Sequence, residues 1–306
     1  MRSYTSSERV SLEAYQLFCT AAEVGNLTRA AELLNITPSA ASHSIRALER
    51  SLGVTLLTRS HNGISLTAYG ESLLPFFRQV LTEEDRLQEE VAQINHLIKG
   101  TVRVGVFESV CNKWFPDILR EFSEKYPNIV IRIYQDGYQA IEKMLVDSVI
   151  DIGFVSLPTK DIYSTTMIYR DPLLCIAPPD FHPKNGVSVT ADDLRDECLM
   201  ISRRGFDRTT EAFIADNHLE PSIQHNLSLD SSAIALVESG FGVSILPELV
   251  LKNTRGNFNT FPLAPQQFRN IAIATLKRRS RSPAAARLIE EIQQYVKRTA
   301  SPDSAS

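Results

Sequence analysis

The sequence predicts an α + α/β chain: a small helical head, one long helix, and a C-terminal α/β domain of two lobes. Three observations carry this. Apolar residues recur at steps of three and four in short, closely spaced runs over residues 11–66. Residues 67–99 sustain the same kind of spacing as one stretch. From Thr101 onward, strand-like apolar runs alternate with amphipathic helical ones, the signature of an α/β domain with largely parallel sheets.

The bulk numbers set bounds. A chain of 306 residues fits two or three domains. It is 43% hydrophobic and 22% charged, as ordinary globular proteins are. No apolar run reaches the ~18 residues of a spanning helix. Met1–Val10 lacks the apolar stretch of a secretory signal, so the expectation is a cytoplasmic protein without membrane contact. A net charge of −4 argues against a polycation that coats nucleic acid, yet a local cationic face is enough for recognition. Cys19, Cys111, Cys175 and Cys198 are dispersed, with no CxxC pair and no histidine at zinc-finger distance. They read as reduced, mostly buried thiols, and neither a metal nor a cofactor is expected.

In the head, Leu12, Tyr15, Cys19 and Ala22 recur at helical spacing. Gly25 ends this helix and Asn26 caps the next, whose inner side is Leu27, Ala30, Ala31 and Leu34. After a short turn, Thr37 is a capping residue and Pro38 takes the first helical position, where its missing N–H costs nothing. The third helix buries Ala41, Ile45, Leu48 and Leu52. Its opposite face shows Ser39, Ser42, His43, Arg46 and Arg50, groups that reach base edges and phosphates when a helix lies in the major groove. Gly53 stops it. Residues 54–66 then hold two β-type runs around His61-Asn62-Gly63, a strong hairpin signal, with Arg59 available to a phosphate. Together these elements read as a winged helix-turn-helix for double-stranded DNA.

Thr67 caps a helix expected to run to about Ile98. Phe77, Val80, Glu84, Leu87, Val91, Ile94 and Ile98 form a heptad-like seam between charged outer positions, as a dimer interface requires. Pro75 sits early in this helix, where a kink is expected. Two heads on a two-fold axis also read more operator than one.

In the C-terminal domain, Thr101–Val106, Ile129–Tyr134 and Ile150–Val155 are strand-like. Trp114–Lys125 and Tyr138–Val146 are helical. A second series of strands covers Leu173–Ala177, Leu199–Ile201, Ile223–Leu229 and Val243–Leu246, with helices at Phe206–Asn217 and Ser231–Glu238. A late strand, Ile271–Leu276, and a helix, Pro283–Val296, close the domain. Ligands in open α/β sheets bind beyond the carboxyl ends of the strands, near helix N-termini. The candidates there are Ser109, Gln135, Tyr138, Ser156, Ser202, Arg203 and Ser231. Arg203 or its neighbour Arg204 favours an anionic effector.

Gly25–Glu49 (GNLTRAAELLNITPSAASHSIRALE), followed by LLTRSHNGISLTAYG over residues 56–70, resembles the DNA-binding head of LysR-type transcriptional regulators. The chain departs from the family's usual residues at Thr37, His43 and Asn62, while Ser39, Ser42, Arg46 and Arg59 match directly. Further segments similar to the family are WFPDILREFSEKYPNI (114–129), DIGFV (151–155) and SGFGVSILP (239–247). The resemblance implies a homodimer or homotetramer paired through the long helix. It also implies a periplasmic-binding-protein-like effector domain over residues 101–300. Lobe one is then about 101–170 plus 271–300, and lobe two about 171–270. Ser109, Ser156 and Ser202 match positions where the family places ligand-contacting hydroxyls.

The function expected is a promoter-binding regulator that responds to a small molecule held between the lobes. One alternative is a redox sensor of the same family; its peroxide-sensing members carry a reactive Cys where this chain has Phe206. Another is a solute-binding or enzymatic two-lobed protein. Against an enzyme, the sequence has no G-x-S-x-G, no phosphate-cradling glycine loop and no clustered metal ligands.

Overall fold

Leu17, Phe18 and Ala21 are fully buried along one face of the first helix, α1 (Leu12–Val24), and Gly25 ends it with φ 66°, a left-handed conformation that only glycine adopts without strain. The computed structural model describes residues 10–60, 63–95, 98–202, 208–220, 223–227, 230–252, 254–278 and 281–299. The chain divides into two compact units, the first made chiefly of residues up to His96, the second chiefly of those from Leu97 on.

In the first unit, Asn26 caps α2 (Leu27–Leu33) by accepting from the Arg29 amide at 3.0 Å. Buried Ala30 and Ala31 let α2 cross its neighbours closely. Thr37 caps α3 (Pro38–Leu52), accepting from the Ala40 amide at 3.2 Å. Strands β1 (Leu57–Ser60) and β2 (Gly63–Leu66) form an antiparallel hairpin with Ser60 opposite Gly63. His61 and Asn62, its expected turn, lie outside the described residues. Gly63 has φ 124°, and a Cβ there would collide with the Gly25 carbonyl oxygen; Ile64 donates to that same oxygen at 2.9 Å. The wing is thus tied to the α1–α2 turn. Thr67 caps α4 (Ala68–Ile94).

Three expectations about this unit are corrected. The buried residues of α1 are Ala14, Leu17, Phe18, Cys19 and Ala21, with Tyr15 and Ala22 packed against the same core, so of the expected stripe only Leu12, which is exposed, falls outside it. Leu52 is likewise exposed, so the buried stripe of α3 is Ala41, Ile45 and Leu48. Phe77 belongs to the head's own core and not to a seam. Its ring lies 4.8 Å from Tyr15 and 5.2 Å from Phe18, and aromatic packing of this kind outweighs heptad phase. In addition α4 ends at Ile94, so Ile98 falls outside it. Val80, Leu87, Val91 and Ile94 are exposed apolar residues on this helix.

The second unit starts with β3 (Gly100–Val106), α5 (Glu108–Lys113), α6 (Phe115–Lys125), β4 (Ile129–Gln135), α7 (Tyr138–Val146), β5 (Ile152–Leu157) and the long β6 (Tyr163–Ala177). Then come β7 (Val189–Thr190), α8 (Ala191–Leu194), β8 (Leu199–Ser202), α9 (Arg208–Asp216), β9 (Ile223–Leu227), α10 (Asp230–Glu238), β10 (Val243–Pro247) and α11 (Glu248–Leu251). Finally β11 (Asn259–Ala264), β12 (Phe268–Leu276) and α12 (Pro283–Thr299) follow. The described strands run β4-β3-β5-β12-β6-β10-β8-β9, with β11 on β6 and β7 on β11.

Pairing is mixed rather than largely parallel. β3 is parallel to β4 and β5, and β8 to β9 and β10, but β12 and β6 run antiparallel to their neighbours. The reason is that these two strands carry the chain between lobes. Tyr163–Pro172 of β6 pairs with β12 in lobe one, and Leu173–Ile176 pairs with β10 in lobe two. Lobe one is packed by Val104, Ile118, Phe122, Phe154 and Leu288, all fully buried. Lobe two has its own cluster around Leu173, Leu199, Phe213, Val243 and Leu263.

Candidate functional site

In the head, burying Ala41, Ile45 and Leu48 turns the other side of α3 outward. Ser39, His43, Arg46 and Arg50 are exposed there and Ser42 is half-buried. His43, Arg46 and Arg50 line a groove with Gly53, Val54 and Thr55. Two guanidiniums suit a polyanion, and the one acid that shares this groove is held by backbone amides. That acid is Glu49, to which the sequence alone gives no role. Its Oε1 accepts from the Leu56 and Leu57 amides at 2.7 and 3.2 Å, fixing the start of the wing against α3. Arg59 sits on β1 opposite Ile64, and its side chain lies outside the described residues.

In the second unit the predicted effector residues divide. Ser109, on α5, and Tyr138, on α7, are both 3% exposed and meet at one guanidinium that the sequence does not point to, that of Arg269 on β12. Arg269 Nη1 donates to Tyr138 Oη at 2.7 Å and Nη2 to Ser109 Oγ at 3.0 Å. Nε donates to Asp171 Oδ2 at 3.1 Å, and Nη2 also meets that oxygen, making a two-pronged, fully buried ion pair. Asp171 Oδ1 accepts from the Leu249 amide of α11 at 3.0 Å. The Phe107 ring lies under the guanidinium, 4.8 Å from centroid to Cζ, and packs edge-on against Tyr138. Near this cluster, burial and the charges of Asp171 and Glu248 push the Tyr169 hydroxyl up to about 12.

Tyr138 and Arg269 also line a cavity between the lobes, together with Thr210, Glu211, Asp230 and Ile201. Its free volume is about 20 Å³, room for about one water. Arg208, on α9 of lobe two, reaches across to lobe one. It pairs with buried Glu142 at 3.0 Å and donates to the Pro158 carbonyl at 3.3 Å. Lys113 Nζ bridges in the other direction, to the Lys252 carbonyl at 2.6 Å and Thr254 Oγ1 at 3.2 Å. The lobes therefore stand closed on one another.

Among the described residues, Ser156, Gln135 and Ser231 do not line the cavity itself. Ser156 is buried opposite Ile271, and its Oγ has no hydrogen-bond partner among the described residues. Gln135 is exposed at the end of β4. Ser231 is exposed on α10, one residue past the lining Asp230. The Ser202 side chain and all of Arg203 lie outside the described residues.

Residues 12–71 match the bacterial regulatory helix-turn-helix protein model of the lysR family, and residues 95–297 match the LysR substrate binding domain. The uncharacterized HTH-type transcriptional regulator YvbU of Bacillus subtilis is 26% identical over 290 residues, spanning 92% of this chain and 97% of that protein. The HTH-type transcriptional activator CmpR of Synechocystis sp. is 27% identical over 243 residues, spanning 78% and 79%. Among solved structures, a full-length OxyR variant from Pseudomonas aeruginosa aligns with a TM-score of 0.74 at 22% identity, covering 94% of this chain and 98% of that one. Full-length CbnR complexed with its target DNA aligns with a TM-score of 0.64 at 23% identity, covering 93% and 99%.

Proposed function

The chain belongs to the LysR family of helix-turn-helix transcriptional regulators, and we propose that it reads promoter DNA through the outward face of α3 and responds to a small molecule held between its two lobes. The DNA-binding domain is residues 11–66, the linker helix region 67–99 and the effector-binding domain 101–300. Ser39, Ser42, His43, Arg46 and Arg50 contact DNA from the major groove, and Arg59 contacts a phosphate from the wing. The observation that carries this reading is the amphipathic split of α3, with a fully apolar inner stripe behind a cationic, hydroxyl-bearing face. CbnR, of the same fold, has been solved in complex with its target DNA.

The protein acts as a homodimer or homotetramer joined through the exposed apolar residues of α4. One α3 spans only a few base pairs, so two heads supply affinity that one lacks. The α/β domain works as a binding module without catalysis, and the regulator acts in the cytoplasm beside its promoter. No helix among the described residues is long and apolar enough to cross a membrane. Ser109 and Tyr138, organised by Arg269, form the lobe-one side of the effector site; Ser202 and Arg203 belong to the lobe-two side, and Ser231, Ser156 and Gln135 to its margin. Burial pushes the Cys19 and Cys175 thiols up to about 12, which starves these two of thiolate and gives them no part in thiol sensing.

The test is promoter binding by fluorescence anisotropy across a salt titration. Arg46→Ala and Ser42→Ala are each expected to cost about 1–3 kcal/mol where the side chain reads a base. Where Arg46 holds a phosphate instead, its removal lowers the salt slope by about one. Wild-type affinity and slope in both variants would reassign the DNA face.

A further inference from the structure

The wing is a two-stranded sheet, and a hairpin alone is marginal in water, so its place beside α3 has to come from contacts at its root. Among the described residues these come from three directions. The Leu56 and Leu57 amides donate to Glu49 Oε1 of α3 at 2.7 and 3.2 Å. At the start of α4, the Thr67 amide donates to the Leu56 carbonyl at 3.0 Å, and Thr67 Oγ1 to the Thr55 carbonyl at 2.6 Å. On the other strand, Ile64 donates to the Gly25 carbonyl at 2.9 Å.

The polar tie to α3 is thus the Glu49 carboxylate. Leu56 is fully buried, so its amide would be left without a partner if that oxygen were withdrawn. Glu49 also lines the groove that holds His43, Arg46 and Arg50. It follows Arg46 by three residues, and the amides it holds belong to the third and second residues before Arg59. By charge alone, an acid in this groove opposes a polyanion. Two successive N–H groups converging on one oxygen give it a different use, since such a pair favours an anionic acceptor and fixes strand to helix.

We infer that Glu49 is a positioning residue for operator reading: it sets the span between α3 and the wing, so that Arg46 and Arg59 reach the same DNA together. This rests on the DNA face proposed above. A hydrogen bond from a guanidinium to a phosphate spans about 2.7–2.9 Å, so a wing displaced at its root by about an ångström loses the contact of Arg59.

The test uses the full-length protein, a labelled duplex that it selects from random-sequence DNA, and fluorescence anisotropy across a salt titration. Three substitutions separate reach from charge. Glu49→Asp keeps the charge and shortens the reach by one methylene; Glu49→Gln keeps the reach and an acceptor oxygen and drops the charge; Glu49→Ala lacks both. Glu49→Gln is expected to bind at least as tightly as the wild type. Glu49→Asp and Glu49→Ala should bind about fivefold to tenfold more weakly near 0.1 M salt, with a salt slope lower by about one per head, the share of one phosphate contact. An acid acting by charge alone gives the reverse order, with Glu49→Asp unchanged and the other two tighter. Unfolding temperatures report the fold, and the Glu49→Asp and Glu49→Gln pair decides even where Glu49→Ala unfolds. Glu49→Asp combined with Arg59→Ala should bind no more weakly than Arg59→Ala, since the wing's contact can be lost only once; a residue that merely stabilises the head would make the two losses multiply. Undiminished affinity in Glu49→Asp, Glu49→Gln no tighter than Glu49→Asp, or multiplying losses overturns the inference. If Arg46→Ala also binds as the wild type does, the DNA face itself falls; if Arg46→Ala weakens binding and Glu49→Asp does not, the role of Glu49 falls alone.

Discussion

Replacing Arg269 by methionine removes the cation that organises the inter-lobe cluster while roughly keeping side-chain length. Its side chain is 3% exposed and that of Asp171 0%. In Arg269→Met the carboxylate would stay buried, still accepting from the Leu249 amide at 3.0 Å but deprived of the guanidinium. Breaking one half of a buried ion pair costs about 3–5 kcal/mol, since the remaining charge is stranded away from water. Ser109 and Tyr138 are deprived of a donor as well, which takes the expectation to the upper part of that range. For a domain of this size about 2–4 °C accompanies each kcal/mol, so the unfolding temperature should fall by about 10 °C or more. Differential scanning calorimetry of the full chain reads this. Arg269→Met combined with Asp171→Leu removes both charges and should recover most of the stability, because the desolvation penalty disappears with the pair. A destabilisation under about 1 kcal/mol in the single variant, or a double variant no better than the single, would refute the description of Arg269 and Asp171 as a desolvated, mutually dependent pair.

Two further perturbations address assembly and lobe closure. Leu87→Asp with Val91→Asp places charges on α4 residues that are 60% and 45% exposed within one chain. If that surface is covered by a second copy, light scattering should report a smaller species with weak operator binding; an unchanged mass would remove α4 as the interface. Arg208→Ala deletes the cross-lobe pair with Glu142 and the bond to the Pro158 carbonyl. Because Arg208 is 35% exposed, solvent screening limits the effect to about 1 kcal/mol, roughly a fivefold rise in the open population. Hydrogen exchange should then quicken along α7 and α9 and not in the head; identical exchange in both proteins would mean that this contact does not hold the lobes.

What can be read from the sequence follows how local each cause is. The helices of the head are legible because their ends are written in adjacent residues: Gly25 and Gly53 in left-handed caps, Asn26 and Thr37 as side-chain acceptors, Pro38 at a helix start. Phe77 is misplaced by its spacing, which fits a seam equally well, and only the rings of Tyr15 and Phe18 decide where it goes. In the α/β domain, β6 is legible from Leu173 to Ala177, where the run is continuously apolar. Its first ten residues are mostly polar or partly exposed, with no period of two, and pairing with β12 makes them a strand. Helices α5 and α11, of six and four residues, are too short to show a period. Among the site residues, Ser109 and Tyr138 follow from strand-end geometry. Arg269 and Asp171 do not, since they lie 98 residues apart and become neighbours only through the antiparallel register that sets them directly opposite.

That register bears on signalling. β6 changes partners between Pro172 and Leu173, pairing with β12 before and β10 after, so the crossover between lobes sits one residue beyond Asp171. Asp171 holds Arg269 with one oxygen and the first turn of α11, in lobe two, with the other. A ligand that engages Tyr138 and Arg269 therefore acts on the residues that fix the angle between lobes, through a buried ion pair and not through a solvent-softened loop. Tight binding alone would change nothing at the promoter; the ligand must prefer one arrangement of the assembled protein over another. A site adjoining the crossover supplies such a preference, because parting the lobes separates its two walls, Tyr138 with Arg269 on one side and Glu211 with Asp230 on the other. A small-molecule effector exceeds the free space of about 20 Å³ between these walls, so it is held in an arrangement with the lobes further apart, and it favours that arrangement by the value of the hydrogen bonds it makes there. At about 1.5–3 kcal/mol for bonds to charged groups, this matches the usual scale of coupling between an effector and a distant site.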